Sequence, residues 1–449
     1  MKIFKMTNIQ LSDHFSYKKL IQFIMPSIGM MIFTSIYGVI DGLFVSNFVG
    51  KTAFAAVNLI IPFTMVLSAI GFMLGTGGNA LIAKTLGEGK HDLANKIFSF
   101  LVFIAIGSGI IISVIGIVFM EPVAILLGAE EHMLQDCVTY GRILMAATPA
   151  FMIQVMFQSF LVTAEKPGMG FGVTVVAGVT NIILDAILIA VIPMGVKGAA
   201  LATSISQCVG GIVPLIYFSR KNSSLLQIVK TTFMLDALWK TCFNGISEFL
   251  SNVSMSLVSM LYNLQLLKFA GENGIAAYGV IMYVQFVFVA IFIGYNIGTA
   301  PIIGYNYGAQ NHKELQNIFK KSIIITAAAG FILMLSAFIC SGTLAKIFVG
   351  YDAQLYEMTR RGFRFYAASF FLCGFNIFGS SFFTALSNGP VSAAISFLRT
   401  VVFQVAAVLI LPIFLEMDGI WLSISVAEIL AIMVTVGFII KLKKFYHYI

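Results

Sequence analysis

Charge is what this sequence lacks. Asp, Glu, Lys and Arg make up only 10% of its 449 residues, against 59% hydrophobic. A soluble domain takes about a quarter charged residues to cover its surface. Lipid must therefore be the solvent for most of the chain. Cysteine is scarce as well: Cys137, Cys208, Cys242, Cys340 and Cys373 lie mostly in apolar runs and form no CxxC. That pattern excludes a disulfide or metal framework and leaves small core residues. The opening MKIFKMTNIQLSDHFSYKK is mixed and polar, not a cleavable signal peptide, so the first apolar run is expected to be retained. Phosphate-binding chemistry is missing too. Gly50-Lys51-Thr52 is the nearest approach to a P-loop, but Val45 stands where the motif needs its first glycine. No zinc motif, nucleophile elbow or soluble catalytic domain is visible, which speaks against an enzyme and an ATP-driven pump.

What is present is a succession of apolar runs, each of the roughly 20 residues that a membrane crossing needs. They predict an all-α polytopic membrane protein with twelve helices, at about 17–46, 53–82, 97–119, 134–162, 168–192, 198–219, 241–267, 275–304, 322–345, 359–385, 391–412 and 418–440. With the N-terminus in the cytoplasm, 18 of the 27 Lys and Arg fall in cytoplasmic segments: Lys2, Lys5, Lys18, Lys19, Lys84, Lys90, Lys96, Lys166, Arg220, Lys221, Lys230, Lys240, Lys313, Lys320, Lys321, Lys441, Lys443 and Lys444. This follows the positive-inside rule and predicts a bacterial cytoplasmic-membrane protein with both termini inside. The net charge of +8 is thus a topology signal; no nucleic-acid partner is expected. The external segment MEPVAILLGAEEHM is acidic and has no Lys or Arg.

The chain also repeats itself. At an offset of 221 residues, GKTAFAAVN from Gly50 meets GENGIAAYG from Gly271, and Gly77, Gly87 and His91 meet Gly298, Gly308 and His312. Further on, Thr163-Ala164 meets Thr384-Ala385, and Gly198, Leu201 and Ser204 meet Gly419, Leu422 and Ser425. The expected organisation is a six-helix lobe over 1–220, a cytoplasmic linker over 221–240 and a second lobe over 241–449. Two copies in the same orientation are related by an axis along the membrane normal, and transporters built this way bind cargo near the midplane between the halves. Pro26, Pro62, Pro149, Pro214 and Pro301 mark helices where bending is easiest. The fused halves need no dimer to form a cavity, so a monomer surrounded by lipid is expected.

The repeat sharpens the reading of polar residues. An acid at mid-membrane costs at least about 2.5 kcal/mol and is a functional candidate by default. Asp41 corresponds to Tyr262, Asn181 to Val402 and Asp185 to Ala406, so the first lobe keeps acids that its twin lacks. Tyr37 with Asp41, and Asn181 with Asp185, are each four apart on one helix face. Two carboxylates in one dry pocket take up a proton or bind a cation such as Na⁺. The alternative is that they only hydrogen-bond helix to helix. In the second lobe, Glu248 stands opposite Ser27, either drawing a cationic cargo from the cytoplasm or sitting solvated at the interface; Glu428 stands opposite Gln207 in a structural role. Gln154, Gln158, Tyr283, Gln285 and Asn376 are candidate polar walls of a cargo cavity. The 22 Met and 42 Phe suit a pocket for flat cations, although they are also ordinary core and lipid-facing residues.

PSIGMMIFTSIYGVIDGLFVSNFVG, GVTNIILDAILI, GVKGAALATSISQ and TAPIIGYNYGAQN together resemble the multidrug and toxic compound extrusion (MATE) family over nearly the whole chain. The resemblance implies two six-helix lobes around a central V-shaped cavity. It implies antiport of organic cations or drugs against H⁺ or Na⁺, with no cofactor. The family's first-lobe site maps onto Tyr37, Asp41, Asn181, Asp185 and Thr203; with Na⁺ as the coupling ion, Asp41, Asn181 and Asp185 would hold it. Some relatives carry an aspartate in helix X, where this sequence has Asn376 and no acid. A flippase for lipid-linked oligosaccharides or lipid II is the competing transporter. It would want cavity Arg or Lys for pyrophosphate, and Arg142, Arg364 and Arg399 are the few intramembrane candidates. A transporter-shaped sensor that moves nothing is the third reading.

Overall fold

The computed structural model describes residues 9–449; Lys2 and Lys5, counted above towards orientation, lie outside them. The described residues are mostly helical, with no strand among them. The first six long helices are α1 (Tyr17–Phe44, closed by a π-helical turn Val45–Val49), α2 (Lys51–Gly87), α3 (His91–Leu126), α4 (Glu131–Thr163), α5 (Pro167–Asp185, closed by a π-helical turn Ala186–Val191) and α6 (Val196–Ser219). One helical stretch, Leu235–Gly308, is broken at Gly271 (φ 60°) into α7 (235–270) and α8 (272–308). Then follow α9 (His312–Ile339), a short helix Ser341–Val349, and α10 (Ala353–Ala385). The last stretch is broken at Glu416 (φ 48°) into α11 (389–415) and α12 (417–446).

Local chemistry fixes several of these starts. Ser16, Asn311, Asp352 and Asn388 each accept a hydrogen bond from the amide three residues on, capping α1, α9, α10 and α11. Pro167 and Pro390 occupy first turns, where the missing N–H goes unused. Some ends differ from the hydropathy reading. α7 starts at Leu235, inside the expected linker, so Glu248 lies more than three turns into it. The run read as 322–345 is α9 from His312 plus a separate short helix.

α1 to α6 pack on one another, as do α7 to α12, and the two groups meet along α1, α2, α7 and α8. Lipid provides no hydrophobic drive for helices to associate, so close backbone approach through small residues has to hold them. A Cβ added to Gly87 would sit 2.0 Å from the Tyr305 carbonyl oxygen, and one on Gly308 would sit 2.1 Å from that of Lys84. These contacts are each other's twins under the 221-residue offset, so α2 and α8 cross where the pseudo-twofold axis passes. Gly77 and Gly245 bring α2 onto α7 in the same way, with a Cβ 2.1 Å from the Thr241 oxygen and 2.0 Å from the Met73 oxygen, respectively. Gly294 and Gly298 bring α8 onto α1.

One face of the molecule gathers both described chain ends. The segment before α1 is strapped to both helix groups: the Leu11 amide donates to Glu165 Oε1 (2.7 Å) and the Phe15 amide to Glu314 Oε1 (2.9 Å). His14 Nδ1 lies 2.6 Å from Glu314 Oε2, and Lys321 donates to the Phe15 carbonyl. Between α6 and α7, the Gln227 and Val229 amides donate to Asn95 and Ser99 of α3 (2.7 and 2.8 Å). Tyr448 is buried against Phe319 and Phe382.

Candidate functional site

The polar cluster inside the first helix group is built from four helices. α1 brings Tyr37 and Asp41, α5 brings Asn181 and Asp185 one turn from its π-helical end, α6 brings Thr203, and α4 brings Gln154. Glycine makes the approach possible: a Cβ on Gly178 of α5 would stand 2.5 Å from Phe33 and 2.8 Å from the Tyr37 ring. Gly210 of α6 clears the same space for Gln154, whose Cδ would be 2.6 Å away. Ser206 Oγ donates to the Ala177 carbonyl (2.8 Å) and ties α6 to α5 beside the cluster.

Asp41 faces Asp185, Asn181 and Thr203, and Tyr37 points at both Asp41 and Gln154. Asp185 is fully buried and Asn181 nearly so. Asp41 Oδ1, Asn181 Oδ1, both Asp185 carboxyl oxygens and Thr203 Oγ1 are buried without a hydrogen-bond partner. Each orphaned group of this kind costs about 1–3 kcal/mol, and five such oxygens lie on these four side chains. The unpartnered atoms are all oxygens, a set that suits a proton or a hard cation better than a soft metal. Among the described residues, no three His, Cys, Asp or Glu group together to hold a metal ion.

The structure adds Tyr140 of α4, buried within electrostatic range of both Asp41 and Asp185. The sequence carried a signal for it, since Tyr140 lies fourteen residues, about four turns, before Gln154 on one face of α4. Gln158 joins Gln154 at a small cleft also lined by Gly170, Thr174 and Gly210.

The other candidates do not gather with these. Tyr283 is 40% exposed and stacks on Phe348 of the short helix. Gln285 accepts a hydrogen bond from the Tyr366 hydroxyl. Asn376 is fully buried; its amide donates to Glu428 (2.7 Å) and its oxygen accepts from Thr435 (2.9 Å), which leaves no polar atom for cargo. Glu248 lies within electrostatic range of Arg399, which in turn grips Glu428. Arg142 reaches the Ile117 carbonyl, and Arg364 lies over the Phe338 ring.

Comparison with known proteins agrees with this architecture. The MatE family's sequence profile matches twice, over residues 26–187 and 249–410. "Multidrug export protein MepA" of Staphylococcus haemolyticus (strain JCSC1435) is 30% identical over 335 residues, 74% of this chain and 73% of its own. The protein of that name from Staphylococcus aureus (strain MRSA252) is 25% identical over 419 residues, 92% of this chain and 91% of its own. In fold, the chain is similar to a MATE crystallised "in complex with MaL6" (TM-score 0.90, 22% identity, 96% of this chain and 98% of that one). It is equally similar to an "outward-facing conformation of a multidrug resistance MATE family transporter" (TM-score 0.90, 23% identity, with the same coverage). Two matches of one profile, one in each half of the internal repeat and together covering well over half of the sequence, make the chain a member of the MATE family.

Proposed function

We propose that this chain is a secondary antiporter of a bacterial cytoplasmic membrane that exports small organic cations or drugs in exchange for H⁺ or Na⁺. One observation carries the reading: a carboxylate pair with unsatisfied oxygens, buried in one of two repeats and absent from the other. Such a pair holds a positive ion in one state and gives it up in another, and this is what coupling to a gradient needs. Export of drugs agrees with the multidrug export proteins that the chain resembles along most of its length.

In this reading Tyr37, Asp41, Asn181, Asp185 and Thr203 hold the ion, with Asp41, Asn181 and Asp185 supplying most of the charge and donors if it is Na⁺. The lysine-rich face that carries both chain ends is cytoplasmic. The glycine crossings of α2 with α7 and α8, and of α8 with α1, then form the cytoplasmic seal, and cargo enters when they part. Residues 1–220 and 241–449 act as two lobes that rock about this seam around a central cleft. Glu248 draws cationic cargo toward the second lobe. A pyrophosphate-handling flippase is disfavoured, because the Arg399 guanidinium is already neutralised by Glu428.

The test is dye efflux from proteoliposomes under an imposed pH gradient and then an imposed Na⁺ gradient. Asp41→Asn and Asp185→Asn are expected to abolish gradient-driven efflux while the protein remains folded. Wild-type efflux in both variants discards the coupling site.

A further inference from the structure

The second lobe holds a charge arrangement with no twin. Arg399, in the π-helical turn of α11, reaches Glu428 of α12 with Nε 2.9 and 3.0 Å from the two carboxylate oxygens and Nη2 2.7 Å from Oε1. The Glu428 side chain is 4% exposed and that of Arg399 is 21% exposed. Asn376 of α10 locks the carboxylate from the other side with bonds of 2.7 Å to Oε2 and 3.0 Å to the Glu428 carbonyl oxygen. The first-lobe positions equivalent to Arg399 and Glu428 are Gly178 and Gln207, both neutral. Each lobe therefore buries carboxylate, but only the second has a cation of its own.

We infer that Arg399 is a covalently tethered counter-ion that keeps Glu428 out of ion exchange, so that Glu428 adds no ion to those that the first-lobe site exchanges per cycle. The inference rests on the cation-coupled reading above. A guanidinium stays charged throughout the physiological range. Its two-pronged grip also satisfies both carboxylate oxygens, whereas Asp41 Oδ1 and both Asp185 oxygens have no hydrogen-bond partner. The other groups facing this pair are Glu248 of α7, Tyr366 and Cys373 of α10, and Tyr262 of α7. Glu248 shares the same guanidinium without a direct bond to it. Removing only the arginine leaves a buried carboxylate with no partner charge, which must then capture a proton or a metal cation to stay buried. Arg399 thereby withholds Glu428 from the exchange.

The test uses the full-length protein in lipid nanodiscs and infrared difference spectra between alkaline and acid pH, which count the carboxyl groups that protonate. Glu428→Gln is expected to give the wild-type spectrum. Arg399→Gln is expected to gain one carboxyl band, and Arg399→Gln/Glu428→Gln to lose it again. Arg399→Lys, which keeps a tethered cation, should match wild type. Loss of a band in Glu428→Gln overturns the inference, as does a folded Arg399→Gln with an unchanged spectrum. If Arg399→Gln does not fold, Glu428→Gln alone still decides. Asp185→Asn in the same series reports on the first-lobe site separately: its band is lost if that site titrates, whatever Arg399 does. Repeating the spectra with added NaCl separates capture of Na⁺ from capture of H⁺.

Discussion

Replacing Gly308 by alanine puts a methyl group 2.1 Å from the carbonyl oxygen of Lys84 and 2.9 Å from its carbonyl carbon. Both are backbone atoms of another helix, so no side chain can swing aside, and α2 and α8 must separate by about an ångström. Overpacking of this kind costs about 1–3 kcal/mol, and 1.4 kcal/mol is a factor of ten in an equilibrium. The strain exists only while the crossing is closed. The substitution should therefore shift the balance from the closed toward the open cytoplasmic face by about 5- to 150-fold. Spin labels at Lys166 and Ser387, twin positions in loops on the two lobes, report the separation by double electron–electron resonance in a cysteine-free background. The Gly308→Ala distribution should move to longer distances, and efflux should fall. Gly437→Ala is the control. It lies in a helix with nothing within 4 Å of the added Cβ, so it should be neutral or stabilising by up to about 1 kcal/mol through helix propensity. Wild-type distances and efflux in Gly308→Ala would refute the assignment of this crossing as the seal.

Glu248→Gln should weaken export of cationic dyes more than of neutral ones in the same vesicles; equal effects count against a role in recruiting charge. Glu416 holds φ 48°, ψ −127° where its twin Gly195 holds φ 60°, ψ −142°, a region that suits glycine. Glu416→Gly should accordingly raise thermal stability by about 1 kcal/mol, and a lower melting temperature would contradict it. At the α4–α5 turn, burial pushes the Glu165 carboxyl above the usual glutamate range. Ionising it then costs folded stability, so stability should be full at low pH and decline as pH rises from roughly 4 through the raised value. Glu165→Gln keeps an acceptor for the Leu11 amide and should flatten that decline in melting curves taken across pH.

The apolar runs and the repeat announce twelve helices in order, because a lipid solvent writes itself plainly into composition. The ends are less legible. α3 begins at His91 instead of 97 and α7 at Leu235 instead of 241, since a helix continues into water on backbone hydrogen bonds that leave no mark in hydropathy. The acid pairs of α1 and α5 stand out because the twin positions are neutral, and that comparison needs no coordinates. Arg399 and Glu428, 29 residues apart, are asymmetric in the same way, but only packing shows that they meet. Polarity likewise singles out Tyr283, Gln285 and Asn376 without saying which way each one faces. The structure turns one outward and engages the other two within its own hydrogen bonds.

The segment before α1 lies along α9, while the segment before α7 lies along α3, so each half extends an arm over the opposite half. Two half-length chains swapping arms in this way would make a closed twofold dimer. In the single chain the second arm itself, between Ser219 and Leu235, joins the two halves while keeping its contacts to α3. The single chain has, in this sense, the geometry of an arm-exchanged pair, with different charges in its two copies.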